Sequence, residues 1–68
     1  MKAENNLGIY TIFGSSGPRF SFNAKSWKEA ETKMYNWLRY HSMTRIADEF
    51  SVRETPDSTF EIHNEWVN

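Results

Sequence analysis

Residues 44–66, TRIADEFSVRETPDSTFEIHNEW, decide the fold, because they support two incompatible structures. As a β-hairpin, they hold two alternating segments around a Thr-Pro-Asp-Ser turn. Ile46, Phe50 and Val52 would face a core from the first strand, and Phe60, Ile62 and Trp66 from the second. Arg53, Glu61, His63 and Glu65 would point outward. Pro56 and Asp57 suit the centre of that turn, through a fixed φ and a local side-chain bond. The hairpin turns Asp48 and Asn64 inward, and a bulge near Ala47 would re-aim Asp48.

As a helix-turn-helix over 43–66, Ile-Ala-x-x-Phe forms a short first helix, and Thr55, Pro56 and Asp57 become N-cap, N1 and N2 of a second. That second helix, STFEIHNEWV, is built of β-branched and aromatic residues with low helix propensity. Its exposed face carries Glu61 and Glu65 and no Lys or Arg, the wrong charge for approaching phosphates. Ser51 stands where such turns usually have glycine. The period-2 alternation from Thr59 to Trp66 is the stronger pattern, and the hairpin is the expectation.

The remaining segments fit that choice. Residues 1–6 are polar and expected to form a loose tail, leaving 7–68 as one domain. Leu7–Phe13 (LGIYTIF) is β-branched and aromatic, Gly14-Ser15-Ser16-Gly17-Pro18 is a turn, and Arg19–Phe22 alternates with Phe20 and Phe22 on one face. Ser26-Trp27-Lys28-Glu29 matches the capping box S-x-x-E. Trp27, Ala30, Met34, Leu38 and His41 then recur at helical spacing, with Trp37 beside them. This predicts a helix over about 26–41. Lys28, Glu29, Thr32, Lys33, Asn36 and Arg39 fall on its polar face, and Tyr35 and Tyr40 on its flanks. The predicted fold is α+β: one β-β-α-β-β domain whose antiparallel sheet has one face covered by the helix. The other face is left for solvent or a partner.

Composition narrows the function classes. A chain of 68 residues makes one domain, and it contains no cysteine, so disulfides and thiolate metal sites are excluded. Three Trp, three Tyr and five Phe supply the apolar area that a small domain needs. No segment approaches the roughly 20 apolar residues of a membrane-spanning helix. No apolar run long enough for export follows residues 1–6, so a soluble, cytoplasmic protein with no membrane partner is expected.

The formal net charge of −1 conceals a polarity. Residues 1–45 carry seven Lys/Arg against three Glu, giving +4, and residues 46–68 carry one Arg against six Asp/Glu, giving −5. The acidic set Glu49, Glu54, Asp57, Glu61 and Glu65 would cluster on the second hairpin, where it can steer toward a basic groove or simply solvate the surface. The basic set Arg19, Lys25, Lys28, Lys33, Arg39 and Arg45 can contact phosphates or serve as a solvated helix face.

No catalytic arrangement appears. Gly14-Ser15-Ser16-Gly17 lacks the Lys-Ser/Thr of a phosphate loop and precedes a strand, so it reads as a turn. Ser15 and Ser16 have no neighbouring base. His41 suits a core or helix-terminal role. His63 between Glu61 and Glu65 is a weak metal set, better read as a polar strand face. No enzyme activity, metal or cofactor is expected.

One resemblance adds to this. RFSFNAKSWKEAETKMYNWL followed by a TRI…FSV strand resembles the strand–capped helix–strand core of small phage-encoded inhibitors, among them certain type I anti-CRISPR proteins and a phage inhibitor of bacterial RNA polymerase. The shared residues are Phe22, Ser26, Glu29 and Ala30, then Ile46 to Val52, and the likeness covers residues 19–53. It implies a phage-derived, non-enzymatic inhibitor or adaptor that binds the surface of a host protein or ribonucleoprotein complex handling nucleic acid, within the host cytoplasm. Partner contacts are expected from the second hairpin (Glu54, Asp57, Glu61, His63, Glu65) and the helix flank (Tyr35, Arg39, Tyr40), the tyrosines acting as anchors. The alternative is a small DNA- or RNA-binding domain that uses the basic helix face or the helix-turn-helix.

Overall fold

The computed structural model describes residues 7–65 and residue 67. The expected loose tail at 1–6 and the core role of Trp66 lie outside the described residues. Two strands open the chain, β1 (Gly8–Gly14) and β2 (Gly17–Ala24). They pair antiparallel, with Tyr10 opposite Phe22, Thr11 opposite Ser21 and Ile12 opposite Phe20. Ser15 and Ser16 form the two-residue tip. Gly17 follows with φ +114°, a conformation that favours glycine. Arg19 is an extra residue in β2, since Phe13 pairs with Pro18 while Ile12 pairs with Phe20.

The helix α1 (Trp27–Tyr40) starts and stops by named contacts. Ser26 Oγ accepts from the Glu29 amide at 3.2 Å. Glu29 Oε1 accepts from the Lys25 amide at 2.7 Å, so the box closes one residue further out than the Ser26 amide expected. At the other end the Ser42 amide donates to the Arg39 carbonyl (3.1 Å) and the Met43 amide to the Leu38 carbonyl (2.7 Å). This is a Schellman ending. Its left-handed position, φ 59°, is held by Ser42 rather than glycine.

A 3₁₀ helix, Thr44–Glu49, and a short strand β3 (Ser51–Glu54) follow. β3 pairs antiparallel with β1, which makes β1 central in the order β2-β1-β3. β2 and β3 are therefore parallel to each other, and α1 with the 3₁₀ helix supplies the crossover that parallel strands need. Strand alternation sends Tyr10, Ile12, Phe22, Ala24 and Val52 to the face under α1, against Ala30, Met34, Trp37 and Leu38. Full burial of each large side chain stabilises by about 1.5–3 kcal/mol.

The α+β class, the antiparallel sheet and the single covering helix are as expected from the sequence. The region 44–66 differs in its pairing. TRIADE is a 3₁₀ helix without a side-chain N-cap, broken at Ile46 (φ −117°, ψ 30°). It leaves Asp48 in solvent and Ile46 38% exposed, where the hairpin turned Asp48 inward and placed Ile46 in the core. The Thr55–Ser58 turn forms as read, closed by the Ser58 amide on the Thr55 carbonyl at 3.0 Å.

Beyond the turn the chain does not fold back on β3. It leaves the β3 edge, passes the open face of the sheet and reaches the outer edge of β2. There Ile62 makes a single parallel bridge to Ser21, and the His63 amide donates to the Ser21 carbonyl at 2.9 Å. Phe60 is consequently 44% exposed rather than in the core. Asn64, expected inward, is exposed and pairs with Asn23: its Oδ1 accepts from the Asn23 amide (2.9 Å) and its Nδ2 donates to Asn23 Oδ1 (3.2 Å). Val67 is fully buried in the core, and its carbonyl accepts from Asn36 Nδ2 at 3.0 Å. No helix forms over 55–65, so the helix-turn-helix arrangement is absent among the described residues.

This C-terminal strap explains two buried hydroxyls on the face away from α1. Thr11 Oγ1 lies 2.8 Å from Ser21 Oγ and 2.6 Å from Thr55 Oγ1, so the strap both covers and satisfies them.

Candidate functional site

The strap's path decides where the site residues meet. Along its extended run Glu61, His63 and Glu65 alternate, as the sequence placed them. His63 Nε2 lies 3.4 Å from Glu61 Oε1 and Nδ1 lies 3.7 Å from Glu65 Oε2. Each carboxylate addresses a different ring nitrogen, and no three metal-ligating groups converge among the described residues. The Glu65 carboxylate is held below its ordinary value. Its own backbone amide is the largest cause, His63 adds to it, and slight burial opposes both.

The His63 ring is half-buried, stacked on Phe20 at 5.9 Å and 29°. Phe20 meets Trp37 at 5.6 Å, Trp37 meets His41 edge-on at 4.9 Å, and His41 meets Tyr40 at 5.1 Å. A row of rings thus joins the strap to the C-terminal end of α1. His41 caps that helix end and is exposed. Arg39 Nη2 donates to Asn36 Oδ1 at 2.6 Å, and the same Asn36 holds the strap at Val67.

Five of the eight expected partner residues therefore lie along one side of the molecule: Arg39, Tyr40, Glu61, His63 and Glu65. Glu54 and Asp57 do not join them, and Tyr35, 49% exposed, lies one turn before Arg39 on the same helix face, about 140° round from Tyr40. Glu54 ends β3 at the opposite sheet edge, facing Tyr10 in register. Asp57 lines a separate groove of about 420 Å³ between the strap's turn and the open face of the sheet.

That groove is absent from the sequence reading. Its apolar walls are Phe13, Pro18, Pro56 and Phe60. Phe13 was legible as an outward residue of β1, by its alternation with Ile12. What covers the outward face was not legible, because it depends on where the strap runs.

The basic helix face is partly engaged within the chain. Lys33 Nζ donates to the Asn23 carbonyl at 2.9 Å, and Arg39 is bound to Asn36. Lys28 is exposed. The Gly14–Gly17 segment is a hairpin tip, as its sequence indicated.

No family model, curated protein or solved structure matches this chain.

Proposed function

We propose that this protein is a non-enzymatic, protein-binding inhibitor or adaptor, phage-derived, that occupies a basic surface on a host complex handling nucleic acid. The observation that carries this reading is the acidic strap. Residues 55–65 hold Asp57, Glu61 and Glu65, all exposed, with no Lys or Arg, and Glu61 and Glu65 flank His63 on one edge. The strap is ordered by bonds to Ser21, Asn23 and Thr11 rather than free in solvent. A carboxylate array fixed before binding loses little entropy on association. It steers toward positive partners and discriminates against other surfaces. Beside it, Tyr40 offers an exposed ring of the kind that anchors interfaces.

The likeness of residues 19–53 to small phage inhibitors supplies the inhibitory and viral part of the reading. A nucleic-acid-binding role is less well supported. The helix cations Lys33 and Arg39 are engaged internally, and the second helix of a helix-turn-helix is absent among the described residues.

Affinity capture from bacterial lysate with the tagged protein tests this, run with and without nuclease beside the Glu61→Lys/Glu65→Lys double variant. A stoichiometric protein partner that survives nuclease and is lost with the double variant is expected. Recovery of nucleic acid alone, lost on nuclease treatment, would overturn the reading.

A further inference from the structure

The groove beneath the strap's turn is separate from the edge that carries Glu61, His63 and Glu65. We infer that it is a second binding site, for an extended, proline-containing peptide segment that carries a Lys or Arg. The inference rests on the protein-binding reading and names the chemistry of one partner segment.

The volume, about 420 Å³, is within the range of formed ligand sites. Its walls are two aromatic rings and two prolines, Phe13 and Phe60 with Pro18 and Pro56. Such walls suit a preformed polyproline-type backbone, which loses little entropy when it docks on aromatic-lined grooves. One wall is held in place: the Arg53 guanidinium lies 4.2 Å from the Phe13 ring centroid. Phe60 is kept at the rim by its amide, which donates to Ser58 Oγ at 3.1 Å.

Charge selects the occupant's polar group. Asp57 is the single ionisable residue among those lining the groove. It has no ion pair among the described residues. The adjoining cation, Arg53, is laid on Phe13. A peptide cation beside the apolar residue would meet Asp57, whereas a peptide carboxylate would meet it as a like charge. The Ser58 hydroxyl at the same wall accepts from the Phe60 amide and keeps its own O–H to donate to a peptide carbonyl.

The test uses purified full-length protein and a labelled peptide, Ala-Pro-Leu-Pro-Pro-Arg-Ala, against the same peptide with Glu in place of Arg. Amide chemical shifts and fluorescence anisotropy are followed on wild type, Phe60→Ala and Asp57→Asn. The Arg peptide should shift amides of residues 55–60 and of Phe13. The Glu peptide should bind about two- to fivefold more weakly, the range of an exposed ion pair. Asp57→Asn should abolish that discrimination. Phe60→Ala should weaken both peptides at least about fivefold while the remaining spectrum stays dispersed.

Absence of shifts at peptide concentrations on the order of 1 mM would overturn the inference. So would shifts confined to other surfaces, or equal affinity for both peptides, which would mark a site for uncharged apolar ligands. No lysate partner is needed, and neither Glu61 nor Glu65 is altered. Failure here alongside a partner lost with the Glu61→Lys/Glu65→Lys variant would remove the groove and leave the proposed function standing.

Discussion

Thr11 and Thr55 bring their hydroxyl oxygens to 2.6 Å of each other across 44 residues of sequence, and that bond ties the strap to the central strand. Ser21 extends the chain of hydroxyls at 2.8 Å from Thr11. Thr55→Val keeps the shape and removes the outermost hydroxyl, and should cost about 1 kcal/mol. Thr11→Val removes the middle one and leaves two neighbours short of a partner, so about 1–3 kcal/mol is expected. Urea midpoints compare them. Equal losses would show that the three hydroxyls do not act as one network.

Ser42 holds a position that glycine normally fills. Its φ of 59° places Cβ against the following carbonyl, a strain of roughly 1–2 kcal/mol for an L residue. The two Schellman bonds do not use its side chain. Ser42→Gly keeps both bonds and relieves the strain, offset in part by the greater freedom of glycine in the unfolded chain. A gain of about 0.5–1 kcal/mol is expected, or several degrees in melting temperature for a domain of this size. A lower melting temperature would mean that the Ser42 side chain contributes a stabilising contact.

Two tryptophans of α1 should behave oppositely. Trp37 is 5% exposed and touches Phe20, His41 and Phe50. Trp37→Ala should cost about 3–5 kcal/mol, much of what a domain of this length has. Trp27 is 55% exposed, and Trp27→Ala should stay within about 0.5 kcal/mol. Circular dichroism melts of both variants measure this, and a large loss at Trp27 would contradict its position at the helix start.

Glu65 makes stability depend on acid. Its carboxyl is held below the ordinary value of 4.5, so the contribution is present above that value and is lost as pH falls through the lower, folded value. Glu65→Gln should therefore be less stable than wild type at neutral pH, and the gap should close on acidification below the ordinary glutamate range. Denaturation at a series of pH values reads this directly. A gap that is constant with pH would remove Glu65 from the account.

The sequence by itself determined the parts of the fold that close within a few residues. The Gly14–Gly17 tip, the capped start of α1 and the Thr55–Ser58 turn depend on backbone conformation and on side chains within reach of their own amides. Alternation in β2 likewise announced that Phe20 and Phe22 share a face, and helical spacing announced the buried stripe at Ala30, Met34 and Leu38, whereas Trp27 and His41, placed on the same stripe, are exposed at the two helix ends. At the site, the alternation of Glu61, His63 and Glu65 was legible for the same reason.

The tertiary structure alone decided what those segments meet. Period-2 alternation over 59–66 describes an extended chain with two faces and carries no information about the strand edge that receives it. Bonds from the strap to Ser21, Asn23 and Asn36 send it to the far edge of β2 instead of back onto β3. That path buries Thr11, stacks His63 on Phe20 and opens the groove at Asp57, apart from the edge that carries Glu61, His63 and Glu65. Local propensities are summed over neighbours in sequence. The edge that a strap covers is chosen by apolar burial and hydrogen-bond satisfaction over the whole chain, between residues some forty positions apart.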